Sequence, residues 1–170
     1  DKSICDHISP GLRYRYLKRP ASLDEPSTGI QPIISEFLKT VEADIIVLWH
    51  STTPFLRPTT IAECVEKVQS GQYVSAFTAT EIKKFCWFEG RPLNYSLDMP
   101  TPRTQDIKPV IVEEGHLYVF RKDFFLKTGQ RVSQKPYIKV IDPFEAHDIR
   151  TPEDFQIAEL IVNTGFLELD

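Results

Sequence analysis

The chain contains little cysteine and little glycine. Its 170 residues include only three cysteines and seven glycines. Cys5, Cys64 and Cys86 are widely spaced and form no C-x-x-C pair, which argues against a zinc site or a disulfide framework. Cys64 lies on the apolar face of a predicted helix, where a buried thiol is common. The cysteine pattern therefore indicates a reducing compartment.

Several signatures of nucleotide-binding and hydrolytic proteins are also missing. The glycines never form G-x-G-x-x-G, a Walker loop or G-x-S-x-G. The histidines make no H-E-x-x-H motif, and no two aspartates are separated by a single residue. There is neither a signal-peptide pattern nor an apolar run long enough to cross a bilayer. We therefore expect a cytoplasmic protein with no membrane partner.

Positive charge is not in excess, since 20 Lys and Arg residues stand against 24 Asp and Glu residues and the formal net charge is -4. The densest cationic patch consists of Arg13, Arg15, Lys18 and Arg19, interleaved with Tyr14 and Tyr16. Interleaved basic and aromatic residues occur in nucleic-acid sites. A patch this short is more typical of a solvated strand edge, so we expect no nucleic-acid partner.

The most informative stretch begins with an unbroken apolar run at Ile45–Trp49, which predicts a strand covered on both faces of a parallel sheet. Thr60 and Glu63 have capping-box spacing and predict the start of a helix. Tyr73–Phe77 is the next predicted strand. In such β-α-β units ligands lie beyond the carboxyl ends of the strands, so His50–Arg57 is the first candidate site.

The remaining segments complete a single α/β domain. Ser27 or Thr28 is expected to cap a helix, and its apolar stripe consists of Ile30, Ile33, Ile34, Phe37, Leu38 and Val41. Short strands are predicted at Val110–Val112 and Leu117–Phe120, separated by Glu113-Glu114-Gly115. A short helix from Asp123 and a strand at Tyr137–Ile141 follow.

The last predicted helix starts at Thr151, with Pro152 at its first position and Asp154 as the capping partner. Its expected buried face consists of Phe155, Ala158 and Val162. Just before this helix, Glu145 and Asp148 lie between a strand and a helix. Acidic residues at such a place bind metals or polar ligands, or they simply interact with the helix dipole.

Residues 81–109 differ in composition from the rest of the chain. Aromatic residues alternate with charged ones, prolines punctuate the segment, and Glu89-Gly90-Arg91 is typical of a hairpin tip. Exposed aromatic residues on an excursion suggest an arm that reaches a second subunit. An irregular loop folded back on its own domain explains the same pattern.

A set of motifs, in order along the chain, resembles one family. The motifs are Arg19-Pro20 with Leu23; Thr52–Leu56 with Ile61; Arg103–Ile107; Glu114-Gly115 with Tyr118; Glu145–Ile149; and Thr151–Phe155 with Ala158-Glu159. They resemble the sugar-acid cytidylyltransferases, which include the acylneuraminate, legionaminate and pseudaminate enzymes. The resemblance extends from Arg19 to Val162.

This resemblance implies a fold and a reaction. The implied fold is a Rossmann-like, mostly parallel sheet of the nucleotide-diphospho-sugar transferase type, with residues 81–109 as a protruding dimerisation arm. The implied reaction joins CTP to a 2-keto sugar acid, giving a CMP-sugar and pyrophosphate. It depends on positioning and charge neutralisation, and Mg²⁺ supplies part of the latter. A homodimer is implied as well.

The resemblance also implies roles for particular side chains. Asp148 is the expected metal ligand, and Asp148 and Arg103 are the expected catalytic residues. The expected substrate-binding residues are Arg19, His50, Thr52, Thr53, Gln105 and Glu114.

Three departures from the family pattern stand out. Arg150 occupies the place of a second metal-binding aspartate, and Glu114 that of an asparagine. The family's opening strand and triphosphate-binding loop do not appear, so we expect a domain that is incomplete at its N-terminus. The alternative to an enzyme is a catalytically silent binding or regulatory module on the same fold.

Overall fold

The computed structural model describes residues 2–165 and has a four-stranded mixed sheet at its centre. The strands are β1 (Ile45–Trp49), β2 (Ser75–Ile82), β5 (Val110–Arg121) and β6 (Tyr137–Val140), in the order β1-β5-β2-β6. β5 is antiparallel to both β1 and β2, whereas β2 and β6 are parallel. Three of these strands therefore run in one direction, as predicted for a mostly parallel sheet.

Helices cover both faces of the sheet. The α-helices are α1 (Ile30–Leu38), α2 (Pro58–Gln69), α3 (Lys122–Thr128) and α4 (Pro152–Asn163). On one face, Ile34 of α1 and Phe125 of α3 pack with Tyr118 and Phe120 of β5. On the other face, α2 contributes Cys64 and Val68 to a cluster that also contains Leu117 and Val119. β5 thus supplies buried residues to both layers of the core.

The run Ile45–Trp49 forms β1, but the prediction that both of its faces are covered is wrong. Ile46 is buried, whereas Val47 is 44% and Trp49 is 50% exposed. Within the described residues β1 pairs only with β5 and is an edge strand of the sheet. β1 is therefore more apolar than its burial within residues 2–165 explains.

The two strands predicted around Glu113-Glu114-Gly115 are one continuous strand, β5. Glu113, Glu114 and Gly115 do not end the strand. The pairing of β5 with β2 is instead irregular at this point. Phe77 pairs with Tyr118 and Ala79 with Glu113, so residues 114–117 of β5 lie opposite Thr78 alone. Gly115 has a φ of +79°, which a glycine adopts without steric cost.

Some helix boundaries also differ from expectation. α2 begins at Pro58 after Arg57, so Thr60 is not its cap. α1 follows Gly29, so neither Ser27 nor Thr28 caps it. In α4 the predicted capping box of Thr151 and Asp154 is confirmed.

The buried face of α4 was only partly predicted. It consists of Ala158 and Ile161, whereas Phe155 and Val162 are each about half exposed. Cys64 is fully buried as expected, and burial raises the pKa of its thiol to about 12. None of the helices within residues 2–165 combines the length and the apolar character needed to cross a membrane.

Residues 81–109 contain the predicted hairpin, formed by β3 (Trp87–Phe88) and β4 (Arg91–Pro92). Its tip consists of Glu89 and Gly90, both with positive φ. The Asn94 side chain donates to the carbonyls of Lys84 and Lys108 and accepts from the Cys86 amide, which closes the base of the hairpin.

We predict that Gly115→Ala destabilises the protein by about 1–2 kcal/mol, because alanine is strained at a left-handed φ. The added Cβ meets no atom closer than the Tyr118 hydroxyl at 3.8 Å, so steric collision contributes little. Urea denaturation measures the loss. Gly115→Asn is the control, since asparagine adopts the left-handed region at a lower cost than alanine. An equal effect of both substitutions would contradict a strained bulge.

Candidate functional site

Polar groups from three segments meet at the irregularity in β5. His50 and Thr52 follow β1, Glu114 and His116 belong to β5, and Asp148 follows β6 together with Arg150. We call these six residues the bulge cluster. The carboxyl ends of β1 and β6 face this edge of the sheet, which is where open α/β folds place their ligands.

The turn after β1 is held by the Thr53 side chain. The Thr53 hydroxyl donates to the His50 carbonyl at 2.7 Å and accepts from the Trp49 indole at 2.9 Å. Thr53 is fully buried, whereas Thr52 and His50 are exposed. Thr53 therefore shapes the turn, and Thr52 and His50 are the residues that the turn exposes.

Backbone hydrogen bonds tie this turn to the other segments of the cluster. The His50 amide donates to the His116 carbonyl at 3.0 Å, and the Ile149 amide donates to the Thr52 carbonyl at 2.8 Å. The backbone on either side of Asp148 is therefore fixed against the turn that carries His50 and Thr52.

Arg57 anchors the loop that leads to Asp148. Its guanidinium pairs with Asp142 at 2.7 Å and with Glu145 at 3.4 Å, and its amide donates to Glu145 at 3.1 Å. Glu145 is buried, with a side chain 3% exposed. Glu145 thus has a structural role at the start of α2, whereas Asp148 lies beyond it at the sheet edge.

Asp148 has one oxygen occupied and one free of hydrogen bonds. Oδ2 accepts from Arg150 Nε at 2.5 Å, while Oδ1 is buried without a partner among the described residues. Burial acts to raise the pKa of Asp148, but the Thr52 hydroxyl and the Arg150 guanidinium outweigh it and lower the pKa. Asp148 is therefore a carboxylate at neutral pH, with one buried oxygen that no hydrogen bond within the described residues satisfies.

His116 belongs to the cluster but was not predicted from the sequence. It is buried, and neither ring nitrogen has a hydrogen-bond partner within residues 2–165. Burial lowers its pKa, against the opposing effect of the Glu114 and Asp148 carboxylates. A single histidine in an apolar strand matches no sequence motif. Only the absence of hydrogen-bond partners for its buried ring nitrogens in the described part of the chain, which the structure shows, distinguishes His116.

Glu114 is held in place from β2. It accepts a hydrogen bond from the Thr80 hydroxyl across the sheet. Thr78, opposite the bulge, has a buried hydroxyl without a partner among the described residues. The buried side-chain nitrogen and oxygen atoms that lack a hydrogen-bond partner within residues 2–165 thus belong to Thr78, His116 and Asp148, at or beside the bulge.

Three predicted site residues make no hydrogen bond or salt bridge to the bulge cluster within the described residues. Arg19 pairs with Asp24 at 2.5 Å. Arg103 forms an exposed ion pair with Asp106 at 2.8 Å, and its side chain is 79% exposed. Gln105 is exposed on the same segment. Within the described chain, neither arginine forms a salt bridge to the cluster's carboxylates.

The donor set fits a magnesium ion only in part. No group of three or more His, Cys, Asp or Glu residues suited to a metal occurs in the part of the chain that is described. Mg²⁺ is commonly held by one or two carboxylates together with substrate phosphates, and the unpaired, buried Oδ1 of Asp148 is the oxygen that would serve as such a ligand. Arg150 occupies the other oxygen and is not a metal ligand.

A surface cavity of about 520 Å³ lies elsewhere, at the amino end of β1, with Asp44, Arg121 and Asp123 among its lining residues. Ligands of parallel sheets bind at the opposite end of the strands. We therefore place the candidate site at the bulge cluster and not in this cavity.

Two curated relatives share a name and match most of this chain. N-acylneuraminate cytidylyltransferase A of Danio rerio is 26% identical over 151 residues, covering 84% of this chain and 35% of the relative. N-acylneuraminate cytidylyltransferase of Oncorhynchus mykiss is 24% identical over 163 residues, covering 90% and 37%. The chain thus spans little more than a third of either relative's length. No protein-family model matches the chain.

A solved structure shares the fold. The crystal structure of 4-diphosphocytidyl-2C-methyl-D-erythritolsynthase from Anaerococcus prevotii superposes with a TM-score of 0.52 at 16% identity, covering 95% of this chain and 75% of that chain. This likeness concerns the fold alone and confirms the predicted fold class. The two curated relatives support the predicted resemblance to the sugar-acid cytidylyltransferases as a distant relationship.

We predict that Thr53→Val lowers the free energy of unfolding by about 1–3 kcal/mol, because it leaves the Trp49 indole and the His50 carbonyl without their shared partner. Urea denaturation checks the loss. Thr59→Val, an exposed change of the same chemistry on α2, is the control. If Thr53→Val weakens substrate binding without affecting stability, Thr53 contacts the ligand and does not act by shaping the turn.

Proposed function

We infer from the similarity to N-acylneuraminate cytidylyltransferases that this chain belongs to an enzyme that activates a 2-keto sugar acid with CTP. The anomeric oxygen of the sugar attacks the α-phosphorus of CTP. The bond between that phosphorus and the bridging oxygen breaks, pyrophosphate leaves, and the hydroxyl proton is released. The products are a CMP-sugar and pyrophosphate.

The observation that carries this proposal is the free carboxylate oxygen of Asp148 at the carboxyl edge of the sheet. It lies beside Thr52 and is backed by Arg150. Phosphoryl transfer needs groups that position the substrates and balance charge on the transferring phosphate, more than it needs a covalent partner. A fixed, ionised carboxylate with an unused oxygen meets this need through a cation.

Asp148 is the residue that would hold Mg²⁺, with the phosphates of CTP completing the coordination. Bound there, the ion would supply positive charge to the phosphate oxygens. Arg150, which pairs with the other oxygen of Asp148 at 2.5 Å, fixes the carboxylate and adds charge next to it.

The remaining predicted residues divide by position. His50, Thr52 and Glu114 lie in the bulge cluster and are proposed to contact the substrates there. Thr53 supports them through the turn. Arg19 lies outside the cluster, and we propose that it contributes charge toward CTP.

We also propose that the protein is a homodimer in which residues 81–109 reach the partner. Apolar side chains on this arm are exposed, with Trp87 at 56%, Phe88 at 64%, Leu97 at 66% and Met99 at 67%. Apolar surface of this kind commonly marks an interface. Arg103 and Gln105 are on the same arm, so a dimer would explain why, within the described residues, they make no hydrogen bond or salt bridge to the bulge cluster of their own chain.

A silent binding or regulatory module is the second candidate. It is favoured by Arg150, whose guanidinium occupies one oxygen of the proposed metal ligand. On this alternative the chain binds CTP or a sugar acid and releases no pyrophosphate.

We predict that the full-length protein releases pyrophosphate from CTP and Mg²⁺ with a neuraminate-, legionaminate- or pseudaminate-type acid. Asp148→Asn should lower kcat by about 100-fold or more, since the fixed negative charge that would hold the cation is lost. Glu66→Gln, an exposed change on α2, is the matched control.

The wild-type result separates the two candidates. Turnover with any of the acids excludes the silent module. Binding of CTP, measured by calorimetry, without turnover would favour that module. If the protein neither binds CTP nor turns it over, CTP is not its ligand.

We predict that Arg103 acts in the partner's site. Arg103→Ala and Asp148→Asn should each be inactive alone, but a refolded equimolar mixture should recover about a quarter of wild-type activity. Half of the dimers would then be mixed, and each would contain one intact site. Initial rates of pyrophosphate release measure the recovery.

The control adds Trp87→Ser and Phe88→Ser to both chains, which should abolish the recovery along with the dimer. Light scattering reports the oligomeric state. Monomeric wild-type protein, or a mixture with no recovered activity, would show that Arg103 does not act across an interface.

A further inference from the structure

His116 is the least satisfied side chain of the bulge cluster. It is 1% exposed, and both ring nitrogens lack a hydrogen-bond partner within residues 2–165. Buried polar atoms are normally paired, so a histidine with two free nitrogens requires an explanation. Packing alone does not provide one, because an apolar side chain of similar size would fill the same space without losing hydrogen bonds.

The surroundings of His116 locate it inside the proposed site. The charged and titratable groups that act on it are Glu114 on its own strand, His50 after β1, and Asp148 and Arg150 after β6. Its carbonyl accepts the His50 amide at 3.0 Å, so its backbone is fixed to the turn that presents His50 and Thr52. The imidazole therefore lies among polar groups from all three segments of the bulge cluster.

We propose that His116 is a substrate-binding residue whose imidazole hydrogen-bonds a hydroxyl group of the sugar acid. This inference rests on the proposed function and assigns one contact within it. No motif of the chain points to this role.

The chemistry of the cluster favours a hydroxyl over an anionic group. Glu114 and Asp148 are both carboxylates near His116, and they repel a substrate carboxylate or phosphate at this position. A neutral imidazole has one N–H donor and one bare nitrogen acceptor. A hydroxyl both donates and accepts, and therefore matches a neutral imidazole.

The test is a comparison of steady-state kinetics and stability for His116→Phe, which keeps a ring but removes both nitrogens. We expect KM for the sugar acid to rise about tenfold or more, with KM for CTP changed less than about twofold, because the lost contact is to the sugar. His116→Gln should restore part of the affinity. His7→Phe, an exposed change outside the cluster, is the control.

Two further readouts separate binding from a structural role. The melting temperature of His116→Phe should stay level or rise, since the substitution removes unpaired polar atoms. A fall in melting temperature with unchanged KM for the sugar acid would show a structural role and overturn the proposal. Sugar acids lacking single hydroxyl groups should identify the partner, because the matching deoxy acid would bind wild type and His116→Phe equally.

Imidazole ¹⁵N resonances provide a readout independent of turnover. The His116 signals, assigned by their loss in His116→Phe, should shift when the sugar acid is added. A shift without turnover would support the His116 contact and contradict the proposed activity. Turnover with an unaltered KM in His116→Phe would overturn the contact and leave the activity in place. Neither turnover nor a shift would overturn both.

Discussion

The hydrogen-bond ladder of β5 is the interaction on which the rest of the structure depends. β5 lies between β1 and β2 and pairs with both, so two otherwise separate parallel strands are joined through one antiparallel strand. Its side chains from Leu117 to Phe120 are buried and alternate between the two core clusters. Removing this pairing would separate the layers of α1 and α3 from that of α2.

The bulge in the same strand creates the candidate site. Where the ladder between β2 and β5 loses register, Thr78 lies opposite four residues of β5, and the buried polar atoms of the Thr78 and His116 side chains have no hydrogen-bond partner among the described residues. His116 and Glu114 thereby become available to segments that follow β1 and β6. The regular part of β5 supplies stability, and its irregular part supplies unsatisfied polar groups.

Local signals in the sequence predicted local features well. The capping box of Thr151 and Asp154 and the hairpin at Glu89–Arg91 depend on neighbouring residues, so their patterns suffice. The two predicted strands merged into β5 because pairing with β2 and β1 outweighs the breaking tendency of Glu113-Glu114-Gly115. His116 was missed for a related reason, since its unmatched polarity arises only from long-range packing.

Charge balance decides how complete the site is. Glu114 and Asp148 place two carboxylates around His116, against the single guanidinium of Arg150 and an imidazole of His50. The phosphates of CTP would add further negative charge, which a carboxylate-rich pocket repels unless cations offset it. On the proposed function, Mg²⁺ at Asp148 and arginines from outside the cluster would be the sources of that positive charge. A nucleotidyltransferase built on this cluster therefore needs groups that the bulge itself does not provide, whereas binding of a neutral hydroxyl at His116 needs none.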